Sequence, residues 1–196
     1  MEEIIFYFKI GWQHILSWDA LDHLLFLTAL TAIYSLKEWK QVLILITAFT
    51  IGHSLTLVLS VLEIVRFQTN WVEFLIPCTI IFTALFNLFQ KNAPLKKQLL
   101  NYILALLFGL IHGMGYANTI RFMLASDQTI GKGLLGFNFG LEAGQLIVVL
   151  SILFTTFILT YFYKINRREL LIFLSAASFA LALKIAIERF SSILNF

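Results

Sequence analysis

The chain has 196 residues, of which 60% are apolar and only 13% charged, and its formal net charge is +3. A soluble domain of this size cannot bury so large an apolar fraction, so the composition excludes soluble classes and predicts a polytopic membrane protein. The small basic excess is then a topology signal and not a sign of nucleic-acid binding. The single cysteine, Cys78, excludes an internal disulfide and a cysteine-based metal site.

Residues 4–17 are predicted to form an amphipathic helix that lies at the membrane interface, with Trp12 at the headgroups. Six apolar runs follow, and each is expected to cross about 30 Å of hydrocarbon as a helix. They cover approximately residues 21–36, 41–62, 71–90, 98–119, 134–163 and 169–190. The first run is short and is expected to extend back toward Ser17. The predicted fold is therefore an all-α, six-helix membrane bundle forming one domain over residues 1–196.

Orientation is predicted from lysine and arginine in the short loops. Eight lie in the loops after spans one, three and five: Lys37, Lys40, Lys91, Lys96, Lys97, Lys164, Arg167 and Arg168. Five lie on the opposite side: Lys9, Arg66, Arg121, Lys132 and Arg189. The bias predicts that both termini are extracytoplasmic.

Three of the four histidines fall in or at the edge of predicted spans, and they share one depth. His23 stands with Asp22 at the outer end of span one. At about 1.5 Å per residue, His53 lies ~18 Å along span two and His112 ~21 Å along span four, both counted from the inner side. Ionisable groups at such depth are costly and usually mark a site or a pathway. We therefore expect these side chains to converge in the outer half of the bundle.

Other polar residues fit the same layer. Asn138, Glu142 and Gln145 recur at i, i+4 and i+7, so they share one face of span five. Glu73 lies in the first turn of span three. Glycines beside His112 allow neighbouring backbones to approach closely. The many phenylalanines are interpreted as lipid-facing.

Histidine with carboxylates and no thiolate suits a divalent transition metal such as nickel, cobalt or zinc. The predicted ligands are His23, His53, His112, Asp22 and Glu142. Asn138 and Gln145 are expected to support them through hydrogen bonds, with His14 and Glu73 as further candidates. The alternative is that these histidines only bridge helices by hydrogen bonds.

Five motifs, in order along the chain, carry a resemblance. They are GWQHILSWDALDHLLFL, TAFTIGHSLTL, VEFLIPCTI, FGLIHGMGYAN and GFNFGLEAGQL, and together they resemble the HupE/UreJ family of bacterial membrane proteins. The resemblance implies an inner-membrane nickel or cobalt permease, or an accessory protein working with hydrogenase or urease maturation proteins. It carries over to His14, Ser54 and the residues named above. The gap between His14 and the Asp22–His23 pair is longer here than in the family pattern.

Three function classes remain open from the residues, of which one is a metal-sensing or metal-holding partner without turnover. A transition-metal permease would pass the ion from the histidine layer through the inner half of the bundle. That half has few polar residues, which favours the alternative of a zinc-dependent intramembrane hydrolase acting on a lipid or a membrane-anchored peptide. In the hydrolase, Asp22 or Glu142 would activate a metal-bound water and Ser54 would help to stabilise an oxyanion.

Overall fold

The protein is described by a computed structural model covering residues 1–17, 20–66, 68–89, 98–125 and 130–194. These residues form seven α-helices and no strand. The helices are α1 Glu2–Leu16, α2 Leu21–Thr31, α3 Trp39–Val61, α4 Thr69–Phe89, α5 Gln98–Ala125, α6 Ile130–Tyr161 and α7 Arg167–Leu194, and a 3-10 turn, Leu36–Glu38, precedes α3. Trp18 lies outside the described residues, and so do Lys91, Lys96 and Lys97, which count toward the predicted orientation.

The prediction of an all-α polytopic membrane protein is confirmed. Five of the described helices, α3 to α7, are long and apolar enough to cross a membrane, and α2 is a shorter apolar helix. The predicted spans two to six match α3 to α7. Span one is shorter than predicted, because α2 ends at Thr31 and the chain then turns. Ser35 and Glu38 form a capping box there, in which the Ser35 amide donates to Glu38 Oε2 at 2.8 Å.

Residues 4–17, which are predicted to lie at the membrane interface, pack against another helix of the bundle. The segment is the helix α1, and it packs lengthwise and parallel against α6. Gly136 lies against the carbonyl of Ile4, and four residues later Gly140 lies against the carbonyl of Phe8. A Cβ at either glycine would overlap these backbone atoms, so the two helices touch through their backbones.

Helices α1 and α2 follow each other along α6. Beyond α1, α2 continues along α6, and Tyr34 and Thr160 line one small cavity near the far end of both. Their 15 and 11 residues are each fewer than the about 20 needed to span the hydrocarbon. Helix α1 ends at Leu16 and α2 begins at Leu21, so the chain runs along α6 as two short helices. This division agrees with the short first apolar run in the sequence.

Two further helix pairs complete the bundle. Helices α3 and α5 run parallel and pack through glycines, with Gly52 against the carbonyl of Leu106 and Gly109 against that of Phe49. Helices α4 and α7 run antiparallel, as shown by the Glu73–Arg189 ion pair near one end. We call this the site end of the bundle: α4 and α6 begin there, and α3, α5 and α7 end there.

The opposite end is tied together by α7. The Arg168 guanidinium donates to the backbone carbonyl of Leu88 at 2.9 Å, satisfying the last turn of α4. The neighbouring Arg167 donates to the carbonyl of Ile33 at 2.7 Å and pairs with Glu38 at 3.3 Å. These bonds fix the loop after α2 and the end of α4 against the start of α7.

Candidate metal centre

Four histidines from four helices meet inside the site half of the bundle. They are His14 at the end of α1, His23 at the start of α2, His53 on α3 and His112 on α5. One nitrogen from each of His14, His23 and His53 lies within 4.8 Å of the others. The ring centre of His112 lies 5.2 Å from that of His23. The structure thus brings together His23, His53 and His112 at one level, together with His14.

All four imidazoles have a buried ring nitrogen without a partner. His53 is fully buried, and His23 and His112 are 4% and 1% exposed. Among the described residues, the Nε2 atoms of all four histidines and the Nδ1 atom of His53 make no hydrogen bond. Leaving a buried polar group unsatisfied costs about 1–3 kcal/mol, so native structures rarely do so. A metal ion bound by these nitrogens would satisfy several of them at once.

Two of the imidazole rings are oriented by a hydrogen bond at Nδ1. The Nδ1 atom of His112 lies 2.8 Å from the carbonyl oxygen of Phe108, which can only accept a hydrogen bond. Nδ1 therefore carries the proton, and the lone pair of the neutral ring is on Nε2. The Nδ1 atom of His23 lies 3.0 Å from Asp22 Oδ1, so the same reasoning leaves its Nε2 free. A second hydrogen-bond partner of this kind fixes the tautomer of metal-ligating histidines.

Backbone packing holds the cluster in place. Gly113 follows His112 directly, and a Cβ at this position would overlap the carbonyl oxygen of His53. Because Gly113 has no side chain, α3 and α5 approach closely enough to bring His53 and His112 to one level. On the other side, Gly11 of α1 lies against the carbonyl of Phe137 on α6, which brings His14 toward the same point.

Aromatic side chains enclose the histidines. The ring centre of Phe49 lies 5.2 Å from that of His112, and Phe26 lies 4.9 Å from the same ring. The ring centre of Tyr116 lies 4.1 Å from that of His14, and the Phe137 ring stacks on Tyr116. Phe26, Phe49 and Phe137 are at most 1% exposed. The prediction that the phenylalanines face lipid is thus wrong for these three, whose contact with intramembrane histidines could not be read from apolar composition.

Asp22 contacts the cluster through His23 and not as part of the close nitrogen group. Its Oδ1 accepts from both the His23 backbone amide at 2.8 Å and the ring. Its side chain is 27% exposed, whereas the His23 side chain is 5% exposed. Asp22 therefore lies between the buried histidines and a cavity on the far side of α2.

Other predicted site residues lie elsewhere. Glu142 accepts a hydrogen bond from Thr47 at 2.9 Å in an exposed setting and is not part of the close nitrogen group. Its expected role as a ligand is not supported by this position. Gln145 is fully buried and accepts from Thr50 at 2.9 Å. It joins α6 to α3 one turn from His53.

Three further candidates have partners of their own or none. Glu73 forms a 2.7 Å ion pair with Arg189. The side-chain oxygen of Asn138 is buried without a hydrogen bond. The Ser54 hydroxyl donates to the carbonyl of Thr50 at 2.7 Å within its own helix. With Ser54 and Glu142 engaged in this way, nothing in the described part of the chain supports the hydrolase alternative.

The arrangement defines a class before it defines a family. A bundle of long apolar helices that encloses a cluster of histidines is a multi-pass membrane protein. A family model described as "HupE / UreJ protein" matches residues 1–189, so the chain belongs to the HupE/UreJ family. That family is associated with nickel or cobalt transport or with accessory functions. Neither a curated protein nor a solved structure matches the chain.

Proposed function

We propose that the protein is a permease for a divalent transition metal of the nickel and cobalt type, and that the four histidines bind the ion as cargo. The observation that carries this proposal is the set of facing, buried and unpartnered imidazole nitrogens. Neutral imidazole suits nickel, cobalt and zinc, and a site without thiolate does not select soft monovalent copper.

Transport is favoured over storage by the break between α1 and α2. His14 lies in the last turn of α1, and His23 lies in the first turn of α2. Discontinuous helices in transporters meet their substrate at such breaks, where a half-helix can move without unwinding a full one. Rocking of either half would change the distance between His14 and His23, and therefore the fit to an ion.

The far half of the bundle also offers a continuation. A cavity of about 30 Å³ is lined by Phe108, whose ring contacts Phe26, and Phe26 in turn contacts His112. Buried polar groups line this cavity, including Asn87 and Asn101, and Asn101 donates to the Tyr34 hydroxyl at 3.1 Å. These groups supply polar contacts where the sequence suggested an apolar end to the path.

Metal content of the purified protein tests binding. Wild-type protein exposed to Ni²⁺ or Co²⁺ is expected to retain metal by mass spectrometry, and His53→Ala and His112→Ala are expected to lose it. Ser178→Ala is the matched control, because Ser178 is also buried and unpartnered but is not a metal ligand by type. Retention by the control and the histidine variants alike, or no metal in the wild type, would contradict the proposal.

Proteoliposome uptake tests transport. Vesicles holding the wild type should accumulate Ni²⁺ or Co²⁺, and vesicles holding His53→Ala should not. Metal that binds the wild type with full occupancy but never enters the vesicles would replace transport by a metal-holding role.

A further inference from the structure

A water-accessible cavity adjoins the histidine cluster at the site end of the bundle. It has a volume of about 330 Å³ and lies between α2, α4 and α7. The residues that matter here are Asp22, Glu73, Glu188, Arg189 and Ser192. A water molecule takes about 30 Å³ in the liquid, so the cavity has room for a divalent cation with its first hydration shell.

The charge of the cavity is acidic but partly neutralised. Three carboxylates line it, from Asp22, Glu73 and Glu188, against one guanidinium. That guanidinium, from Arg189, pairs with Glu73 at 2.7 Å. Glu188 pairs only loosely with Lys184 at 3.8 Å, one helical turn away. Clefts lined by one sign of charge concentrate counter-ions, so this cavity attracts cations and Arg189 opposes that attraction.

Asp22 connects the cavity to the cluster. It lines the cavity, and its Oδ1 is hydrogen-bonded to Nδ1 of the His23 ring at 3.0 Å. Asp22 therefore contacts both the water-accessible cavity and an imidazole of the cluster. A carboxylate in this position can meet a hydrated ion through oxygen before nitrogen ligands replace the water.

We infer that this cavity is the entrance through which a hydrated divalent cation reaches the histidines, and that Arg189, by holding Glu73, limits the rate at which cations enter. The inference rests on the proposed function. In this view Glu73 is not a ligand of the final site but part of the entrance. Freed from Arg189, its carboxylate would add to the attraction that Asp22 and Glu188 exert.

The rate of Co²⁺ association tests the role of Arg189. Stopped-flow mixing of Co²⁺ with the full chain in detergent follows the visible absorption that imidazole coordination gives to this ion. Arg189→Gln is expected to raise the association rate about threefold or more at low salt, because one opposing charge is removed. The gain should disappear in 1 M salt, where the Debye length is about 3 Å. Glu73→Gln should slow association under the same low-salt conditions.

The matched control is Arg66→Gln. Arg66 also lies at the site end and pairs with an acidic partner, Glu63, at 3.6 Å, but it does not line the cavity. It removes the same charge and should leave the rate unchanged. Equal rates for Arg189→Gln and Arg66→Gln would overturn the role of Arg189.

Thiol modification tests the cavity as the route. In a Cys78→Ala background, Ser192→Cys places a thiol on the cavity wall and Ser191→Cys places one just outside it. A bulky cationic methanethiosulfonate reagent should slow Co²⁺ association at Ser192→Cys and leave Ser191→Cys unaffected. Equal effects at both positions would overturn the route.

Equilibrium Co²⁺ occupancy separates the two levels of proposal. Wild-type protein that binds no Co²⁺ contradicts the proposed function itself. Normal occupancy together with unchanged rates in Arg189→Gln and modified Ser192→Cys contradicts only the entrance.

Discussion

Gly113 of α5 lies directly against the backbone of His53 on α3, so close that a Cβ on Gly113 would overlap the His53 carbonyl oxygen and contact the Thr56 hydroxyl. The glycine thereby sets the distance between two helices that each present a histidine to the cluster. The position of His112, its neighbour in sequence, relative to His53 depends on that distance.

The first prediction concerns this contact. Gly113→Ala should force α3 and α5 apart, costing about 1–3 kcal/mol as overpacking usually does, and should abolish metal retention. Thermal unfolding in detergent and metal content measure the two effects. Gly131→Ala is the control, since a Cβ there meets nothing within 4 Å, and it should leave both stability and metal content nearly unchanged. A Gly113→Ala protein with normal metal content would contradict the role of this contact.

The second prediction concerns Asp22. Asp22→Asn keeps an oxygen that accepts from the His23 ring but removes the charge, and Asp22→Ala removes both. Loss of such a partner typically weakens metal affinity about 10- to 100-fold, so we expect the alanine variant at the upper end and the asparagine variant at the lower end. Co²⁺ titration of the purified proteins measures this. Wild-type affinity in both variants would show that Asp22 does not orient His23.

The third prediction separates buried from lipid-facing phenylalanines. Phe49 is fully buried against the histidines, whereas Phe139 is 61% exposed. Phe49→Ala should lower the free energy of unfolding by about 3–5 kcal/mol, and Phe139→Ala should leave it nearly unchanged. Chemical or thermal unfolding in one detergent compares the two. Similar losses for both would mean that Phe49 is not part of the core.

The fourth prediction tests the placement of α1. Gly140→Val puts a branched side chain where Gly140 meets the carbonyl of Phe8, so α1 should separate from α6 and carry His14 away. Co²⁺ affinity should fall to the value measured for His14→Ala. Were α1 only a surface segment, Gly140→Val would leave the affinity unchanged.

The sequence predicted the fold class, five of the spans within a few residues, and the shared depth of His23, His53 and His112. Hydropathy and residue counting suffice for this, because helix rise is fixed and lipid demands helices. The placement of α1 could not be found in this way, since its burial comes from glycine contacts with α6, about 130 residues away. For the same reason the sequence ranks His14 below the other histidines, because its distance along the chain from Asp22 and His23 says little when α1 ends between them.

Glu142 shows the opposite limit. Its position along the predicted span puts Glu142 level with the histidines. The direction in which a side chain points from the helix axis, however, decides which neighbour it contacts. Its partner is Thr47 on the exposed side of the α3–α6 contact. Periodicity correctly grouped Glu142 with Gln145 on one broad face, yet only Gln145 is turned inward.

The position of α1 against α6 has a consequence for the order of folding. Helix α1 packs against Gly136 and Gly140, which lie far along the chain from α1. It can therefore take up this position only after α6 has been synthesised. His14 joins the other three histidines at that step, so the complete cluster forms late in the folding of the chain.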